Sequence, residues 1–323
     1  MTPARRFALT AVSFAALGAF GSDVLAQRSF PSRPIEMIVP FSPGGGSGIT
    51  GEMMKKIISD EDLSTQPVNI TYKPGASGQV GWTYLATKKG NAHHIATATQ
   101  SFSYGMVLKQ MQVGPEAFTP IALMLFDTQL MAAHPQQGPK TMKDLISASQ
   151  AKPGSVRVGG TGAAGSDANL AVMIDMAAKI KLNYIPFKSG GDVNAAILGG
   201  HLEAALGNPN ELASYVESGK LTPLAVFSAD RIGGMKDVPT MRELGYNVVS
   251  HSARGVVAPA GISKQEEQVL VEMMRKITQS KQWAEYAQKN MMTVKFMGGA
   301  EYTKYLAEER VKLTETLKAL GKL

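Results

Sequence analysis

The sequence predicts an α/β protein of two lobes, built on two mostly parallel sheets joined by two crossover segments. Three observations carry this expectation. A short apolar or alternating run followed by a Gly-rich turn and then by helical spacing occurs four times, and the four units form two pairs of similar separation. Two long apolar runs, Phe118 to Ala133 and Val248 to Pro259, are suited to carry the chain from one lobe to the other and back. The expected first lobe is residues 27–130 with 252–323, the second is 131–251, and residues 1–26 form a leader.

The first unit is the most informative. Ile35 to Phe41 reads as a buried strand, Pro40-Phe-Ser-Pro-Gly-Gly-Gly-Ser-Gly-Ile-Thr50 as the turn, and Glu52 to Ile58 as helix. Its glycines remove the Cβ atoms that would hold a ligand off the backbone, and they leave the first N–H groups of the helix open to an anion. The second unit is Val68 to Tyr72, Lys73-Pro-Gly-Ala-Ser-Gly78 and Val80 to Thr87; a further strand, His94 to Thr99, ends in Gln100 and Ser101. After a helix capped by Thr141, the third unit runs Ser155 to Gly159, Gly160-Thr-Gly-Ala-Ala-Gly-Ser166 and Asn169 to Ile180. The fourth is Leu182 to Phe187, Lys188-Ser-Gly-Gly191 and Val193 to Leu198. A strand at Leu202 to Leu206, a helix from Pro209 to Ser218, a strand at Leu221 to Phe227 and a helical turn at Asp237 to Gly245 follow. Ser263 with Glu266 is a capping-box pattern for a helix through Gln279, and two more helical stretches, Gln282 to Asn290 and Ala300 to Leu320, close the chain.

Arg5 and Arg6, the short apolar stretch Phe7 to Gly21 and Val24-Leu25-Ala26 read as a secretory signal peptide cut after Ala26. The arginine pair also fits twin-arginine export. Export to the periplasm is the expected location. The whole chain of 323 residues carries a formal charge of +7; without the leader, 31 basic and 25 acidic residues leave +6. Lys and Arg are dispersed, so no nucleic-acid surface is expected. The absence of cysteine excludes disulfides, thiolate metal sites and a cysteine nucleophile.

Enzymatic readings fare poorly. Gly160-Thr-Gly-Ala-Ala-Gly165 satisfies GxGxxG, but the next strand ends in Lys188 where a dinucleotide site wants an acid. No GxSxG elbow is present, and His93, His94, His134, His201 and His251 form no HExxH or HxxEH motif. Met pairs such as Met53-Met54 and Met273-Met274 fit helical cores. No catalytic residue, cofactor or metal is expected. What the residues do offer is backbone N–H groups converging from two lobes, with hydroxyls at Ser47, Ser77, Thr161 and Ser166, a suitable seat for a small anion.

The residues resemble a known family, the periplasmic solute-binding receptors of tripartite tricarboxylate transporters (Bug or TctC type), over essentially the whole chain after the leader. The matching stretches are Pro40-Phe-x-x-Gly-Gly-Gly46, Pro74-Gly-Ala-x-Gly78 with Gly81, Phe118-Thr-Pro-Ile121, His134-Pro135 and Lys140-Thr-x-Lys-Asp-Leu145. Pro186-Phe-Lys-x-Gly190, Gly199-Gly-His-Leu202, Gly219-Lys-Leu221, Arg231 with Asp237-Val-Pro-Thr240, and Gly255 with Ala258-Pro-Ala-Gly261 continue the series. The resemblance implies a two-lobed periplasmic-binding-protein (Venus flytrap) fold that captures organic acids without catalysis. It implies a carboxylate ligand held in the first lobe by Phe41, Ser42, Pro43, Gly44, Gly45, Gly46 and Ser47 together with Gly75, Ala76, Ser77 and Gly78. Second-lobe contacts would come from Thr161, Gly162, Ala163, Ala164 and Ser166; Asn208, at a strand end, is added from its position alone. TctA/TctB-like membrane subunits are the implied partners, with a histidine-kinase ectodomain as the alternative.

Two positions depart from the family pattern. Gly48 stands where an Asp is usual, and the third loop is about one residue longer, with Asn169 where His is common. The first departure leads to the expectation that the ligand lacks a free amine.

Overall fold

The computed structural model describes residues 30–109, 111–163, 165–319 and 323. The expected leader and Ala164 lie outside them. The chain starts with β1 (Ile35–Val39), α1 (Gly46–Asp60), β2 (Val68–Tyr72), α2 (Gln79–Ala86), β3 (His94–Ala98) and α3 (Gln100–Val107). It leaves this layer along β4 (Phe118–Thr128), passes Gln129, and enters a second sheet as β5 (Leu130–Ala133). There it builds α4 (Met142–Ala151), β6 (Arg157–Thr161), α5 (Ser166–Ala178), β7 (Asn183–Phe187), α6 (Gly190–Leu198), β8 (Ala204–Gly207), α7 (Pro209–Glu217) and β9 (Thr222–Val226). β10 (His251–Pro259) returns to the first sheet, and α8 (Lys264–Gln279), α9 (Lys281–Lys289), β11 (Thr293–Gly298) and α10 (Gly299–Ala319) complete it.

The first sheet has the order β11-β4-β10-β3-β1-β2 and the second β7-β6-β8-β5-β9. This refines the expectation of mostly parallel sheets. β2, β1 and β3 run parallel, as do β7, β6 and β8, because each follows a helical crossover. β10 runs antiparallel to both β3 and β4, and β5 antiparallel to both β8 and β9, because the connecting strands enter their sheets from the opposite end. Each sheet is covered on both faces. Met37, Ile57, Met274 and Trp283 pack on one side of the first, while Trp82, Phe102 and Tyr302 fill the other. Leu170, Ile174 and Phe227 on one face, and Val193, Ile197 and Leu212 on the other, cover the second. Among the described residues no helix is long and apolar enough to cross a membrane.

Three helices start earlier than their apolar spacing suggests. α1 begins at Gly46 rather than Glu52, α5 at Ser166 rather than Asn169, and α6 at Gly190 rather than Val193. The Gly-rich turns are themselves first helical turns, which a reading based on apolar period cannot register. The Thr141–Asp144 and Ser263–Glu266 capping boxes form as the sequence predicts. Two elements escape the sequence reading. α3 buries Ser101, Phe102, Ser103, Tyr104 and Gly105 in succession, so it has no polar face to give a period. β11 is an edge strand interrupted by a bulge, with Thr293, Val294 and Lys295 exposed, and its sequence looks like a connection between helices. Asp237 to Gly245 forms turns rather than a helix, held by reciprocal bonds between Thr240 and Glu243.

Candidate ligand-binding cleft

The carboxyl ends of β1 and β3 in one sheet, and of β6, β7 and β8 in the other, direct their loops at a shared cavity of about 40 Å³. From the first loop, Phe41, Gly45, Gly46 and Ser47 line it. Ser47 is fixed by a 2.7 Å hydroxyl contact with Thr97 Oγ1 on β3. Ser42 is partly buried, whereas Pro43 and Gly44 are exposed, and these three do not line the cavity; Pro43 and Gly44 border Gly191 of the fourth loop instead.

The second loop behaves differently. Gly75, Ala76, Ser77 and Gly78 do not line the cavity. A Cβ at Gly78 would meet the Trp82 ring at 2.6 Å and Phe41 at 3.2 Å, and one at Gly75 would meet Val80 at 2.9 Å. These glycines serve a tight turn, with φ of +137° at Gly75 and +95° at Gly78, packed over an aromatic cluster.

In the second sheet, Thr161, Ser166 and Asn208 reach the cavity as predicted. Gly162 instead donates to Phe187 O at 2.8 Å, and Ala163 faces a separate crevice beside Tyr104 and Leu317. The longer third loop is held by Asp167, whose Oδ2 accepts from Thr161 N at 2.8 Å and whose Oδ1 accepts from Gln129 Nε2 at 2.5 Å. Burial pushes the Asp167 carboxyl up to about 6 against the pull of these donors. Gln129, between the two sheets, also accepts from Ser250 Oγ at 2.6 Å, so both connecting segments meet the loop at one residue.

Gly48 faces the Tyr72 ring at 3.3 Å and Pro43, not the cavity. The expectation of an amine-free ligand therefore loses its local basis, since a side chain here would lie against Tyr72.

Besides Asp167, three charged residues outside the predicted set decide the electrostatics: Arg254 and Glu211 line the cavity, and Asp127 stands behind Arg254. Arg254 on β10 and Asp127 on the neighbouring β4 are both buried and paired, with Arg254 Nε 2.8 Å from Asp127 Oδ2. Burial pushes Asp127 up to about 6, with Arg254 pulling it back. Arg254 Nη1 has no hydrogen-bond partner among the described residues, and Arg254 borders the cavity. Asp127 and Arg254 are isolated charges in the two apolar connecting runs, which is the signal that could have found them. Glu211, on α7, crosses the cleft: its Oε1 accepts from Gly46 N and its Oε2 accepts from Asn208 N at 3.1 Å. Asn208-Pro-Asn-Glu211 is a helix-start pattern that makes Glu211 legible as a cap, but not as a bridge. Gly190 also lines the cavity, and a Cβ on it would fall on the Glu211 carboxylate. A Cβ at Gly45 would sit 3.3 Å from Gly190 N, so the first and fourth loops are closed on each other.

Known proteins point the same way. The model of the "Tripartite tricarboxylate transporter family receptor", TctC, matches residues 55–322. The chain belongs to this family. The matched span begins just after the first glycine loop, so that loop's assignment rests on the fold. BugT of Bordetella pertussis is 28% identical over 275 residues, covering 83% of this chain and 82% of that protein. The periplasmic binding protein BugD superposes with a TM-score of 0.85 at 22% identity, covering 90% of this chain and 99% of BugD. MatC from Rhodopseudomonas palustris with bound malate gives 0.83 at 19% identity, covering 89% and 100%. The family is one of periplasmic solute-binding receptors rather than enzymes.

Proposed function

We propose that this protein is an extracytoplasmic receptor that captures a small carboxylated molecule between two lobes and delivers it to a tripartite tricarboxylate-type membrane transporter. The lobes are residues 27–130 with 252–323 and residues 131–251, and the leader is removed after about Ala26 in the periplasm. The observation that carries the reading is the convergence, from both sheets, of the starts of α1, α5, α6 and α7 on one cavity that also holds the buried Arg254. Helix starts offer unpaired N–H groups, and a buried guanidinium is the strongest anion donor a protein has. The bound malate in the MatC relative supports an acid as the ligand class. Phe41, Gly45, Gly46, Ser47, Thr161, Ser166 and Asn208 are the predicted residues that this reading keeps at the ligand.

A thermal-shift screen with mono-, di- and tricarboxylates, amino acids and sugars tests it. Ligand at a hundredfold excess over its Kd adds about 2.7 kcal/mol to the folded state. A shift confined to acids supports capture. Shifts with sugars alone, or with nothing once co-purified ligand has been stripped, would end the proposal. Delivery is tested separately, by uptake of the identified acid into cells with and without the receptor gene.

A further inference from the structure

We infer that the cleft selects an acid with a single carboxylate and a hydrogen-bond-donating far end, ammonium or hydroxyl, in preference to a dicarboxylate. This rests on the receptor reading and narrows its ligand class. The anion seat at the start of α1, where the sequence alone would put a ligand carboxylate, already holds one. Glu211 Oε1 accepts from Gly46 N, its Oε2 accepts from Asn208 N, and Gly190 and Gly207 close on the same carboxylate with no room for a Cβ. A glycine cradle that fits a carboxylate is thus filled from the opposite sheet.

The charge balance of the cavity wall extends the argument. One guanidinium, Arg254, is set against three carboxylates: it is paired with Asp127 and borders Glu211, Arg254 and Glu211 both reaching within 3.0 Å of a Cβ position at Gly46, while no Lys or Arg pairs with Asp167 among the described residues. The donors to Asp167 and Glu211 are backbone N–H groups, an amide and the Ser166 hydroxyl, which leave acceptor capacity on both carboxylates. This surplus of carboxylate attracts a donor and repels a second anion. The single guanidinium suits one carboxylate, with a donor group of the ligand turned to Glu211 or Asp167. Arg254 Nη1 is unpartnered among the described residues, the buried Thr99 Oγ1 has no hydrogen-bond partner, and Ser252 lines the same cavity. A cavity of about 40 Å³, room for about three waters, favours a ligand of few atoms.

Calorimetric titration of the purified, ligand-stripped protein with propionate, lactate, alanine, succinate and malate tests the inference. Alanine or lactate should bind at least tenfold more tightly than propionate and succinate. The tighter of the two identifies the donor as ammonium or hydroxyl. Glu211→Gln, checked for folding by circular dichroism, should lower the affinity ratio of alanine or lactate over propionate at least fivefold. If the variant does not fold, the wild-type ranking decides alone, and Asp167→Asn provides the second comparison. Succinate or malate binding more tightly than both alanine and lactate would overturn the inference and leave the receptor function standing. Failure of all five acids, with acids also inactive in the broader thermal screen, would remove both.

Discussion

The first and second glycine loops leave adjacent parallel strands, share the strand–turn–helix pattern, and use their glycines for opposite purposes. In the first, the space beside Gly45 is bounded by Gly190, Ser189 and Glu211, all from the other sheet. In the second, the space beside Gly75 and Gly78 is taken by Val80, Trp82 and Phe41, all from the same sheet's layer. A glycine can allow one lobe to approach another, or allow a turn to lie flat on an aromatic ring. The chain pattern is the same in both cases, so only the neighbour across the gap separates them.

Removing what stands behind each loop should give the largest effects. Trp82→Ala, beneath the second loop, is expected to cost about 3–5 kcal/mol in urea unfolding while ligand affinity stays within a fewfold. Arg254→Ala, behind the first, strands the buried Asp127 at a similar cost of about 3–5 kcal/mol and should abolish binding as well. Equal affinity losses in the two variants would erase the contrast between the loops.

The helix α3 extends the contrast within one element, because Ser101 faces the cavity while Ser103 donates to the buried Glu309 of α10. Burial pushes Glu309 up to about 7 from the ordinary 4.5. The native state then holds this proton after the unfolded chain has released it, so ionisation penalises folding as pH rises from about 4.5 through 7. Glu309→Gln should gain stability relative to wild type between pH 5 and pH 8, by on the order of 3 kcal/mol at most, with ligand affinity unchanged. A pH-independent difference between the two proteins would assign Glu309 no such penalty.

The loops can also be compared directly. Gly45→Val keeps an allowed backbone, with φ −84° and ψ 164°, and fills only the gap to the other sheet. Its expected result is a hundredfold loss of affinity, about 2.7 kcal/mol, with little change in melting temperature. Gly75→Val, at φ +137°, should cost about 1–3 kcal/mol of stability and leave binding nearly intact. The reverse outcome would make the second loop the ligand loop. The smallest effect belongs to Ser47→Ala, which breaks the hydroxyl contact with Thr97 and should cost about 1 kcal/mol.

Much of the fold was legible because its signals are local. The four strand–turn–helix units, the Thr141 and Ser263 caps and the two connecting runs each lie within one contiguous stretch. Of the expected site residues, Gly45, Gly46, Ser47, Thr161, Ser166 and Asn208 come together at the cavity, each where a loop ends a strand. Gly75 to Gly78 and Gly48 lie in packed turns outside its lining, which the motif shared with the family does not reveal. The missing residues, Glu211, Arg254, Asp127 and Asp167, act through partners elsewhere in the fold, and local period or spacing encodes none of those pairings.

The sequence by itself determined where strands and helices alternate, where glycines open helix starts, and that no thiol chemistry exists, since each follows from residue type and near neighbours. The tertiary structure alone decided which glycine loop meets the cleft and which charge fills it. Gly46 and Glu211 are 165 residues apart and meet because two sheets close on each other, and a carboxylate of the protein can then occupy a seat that either sheet alone would have left open.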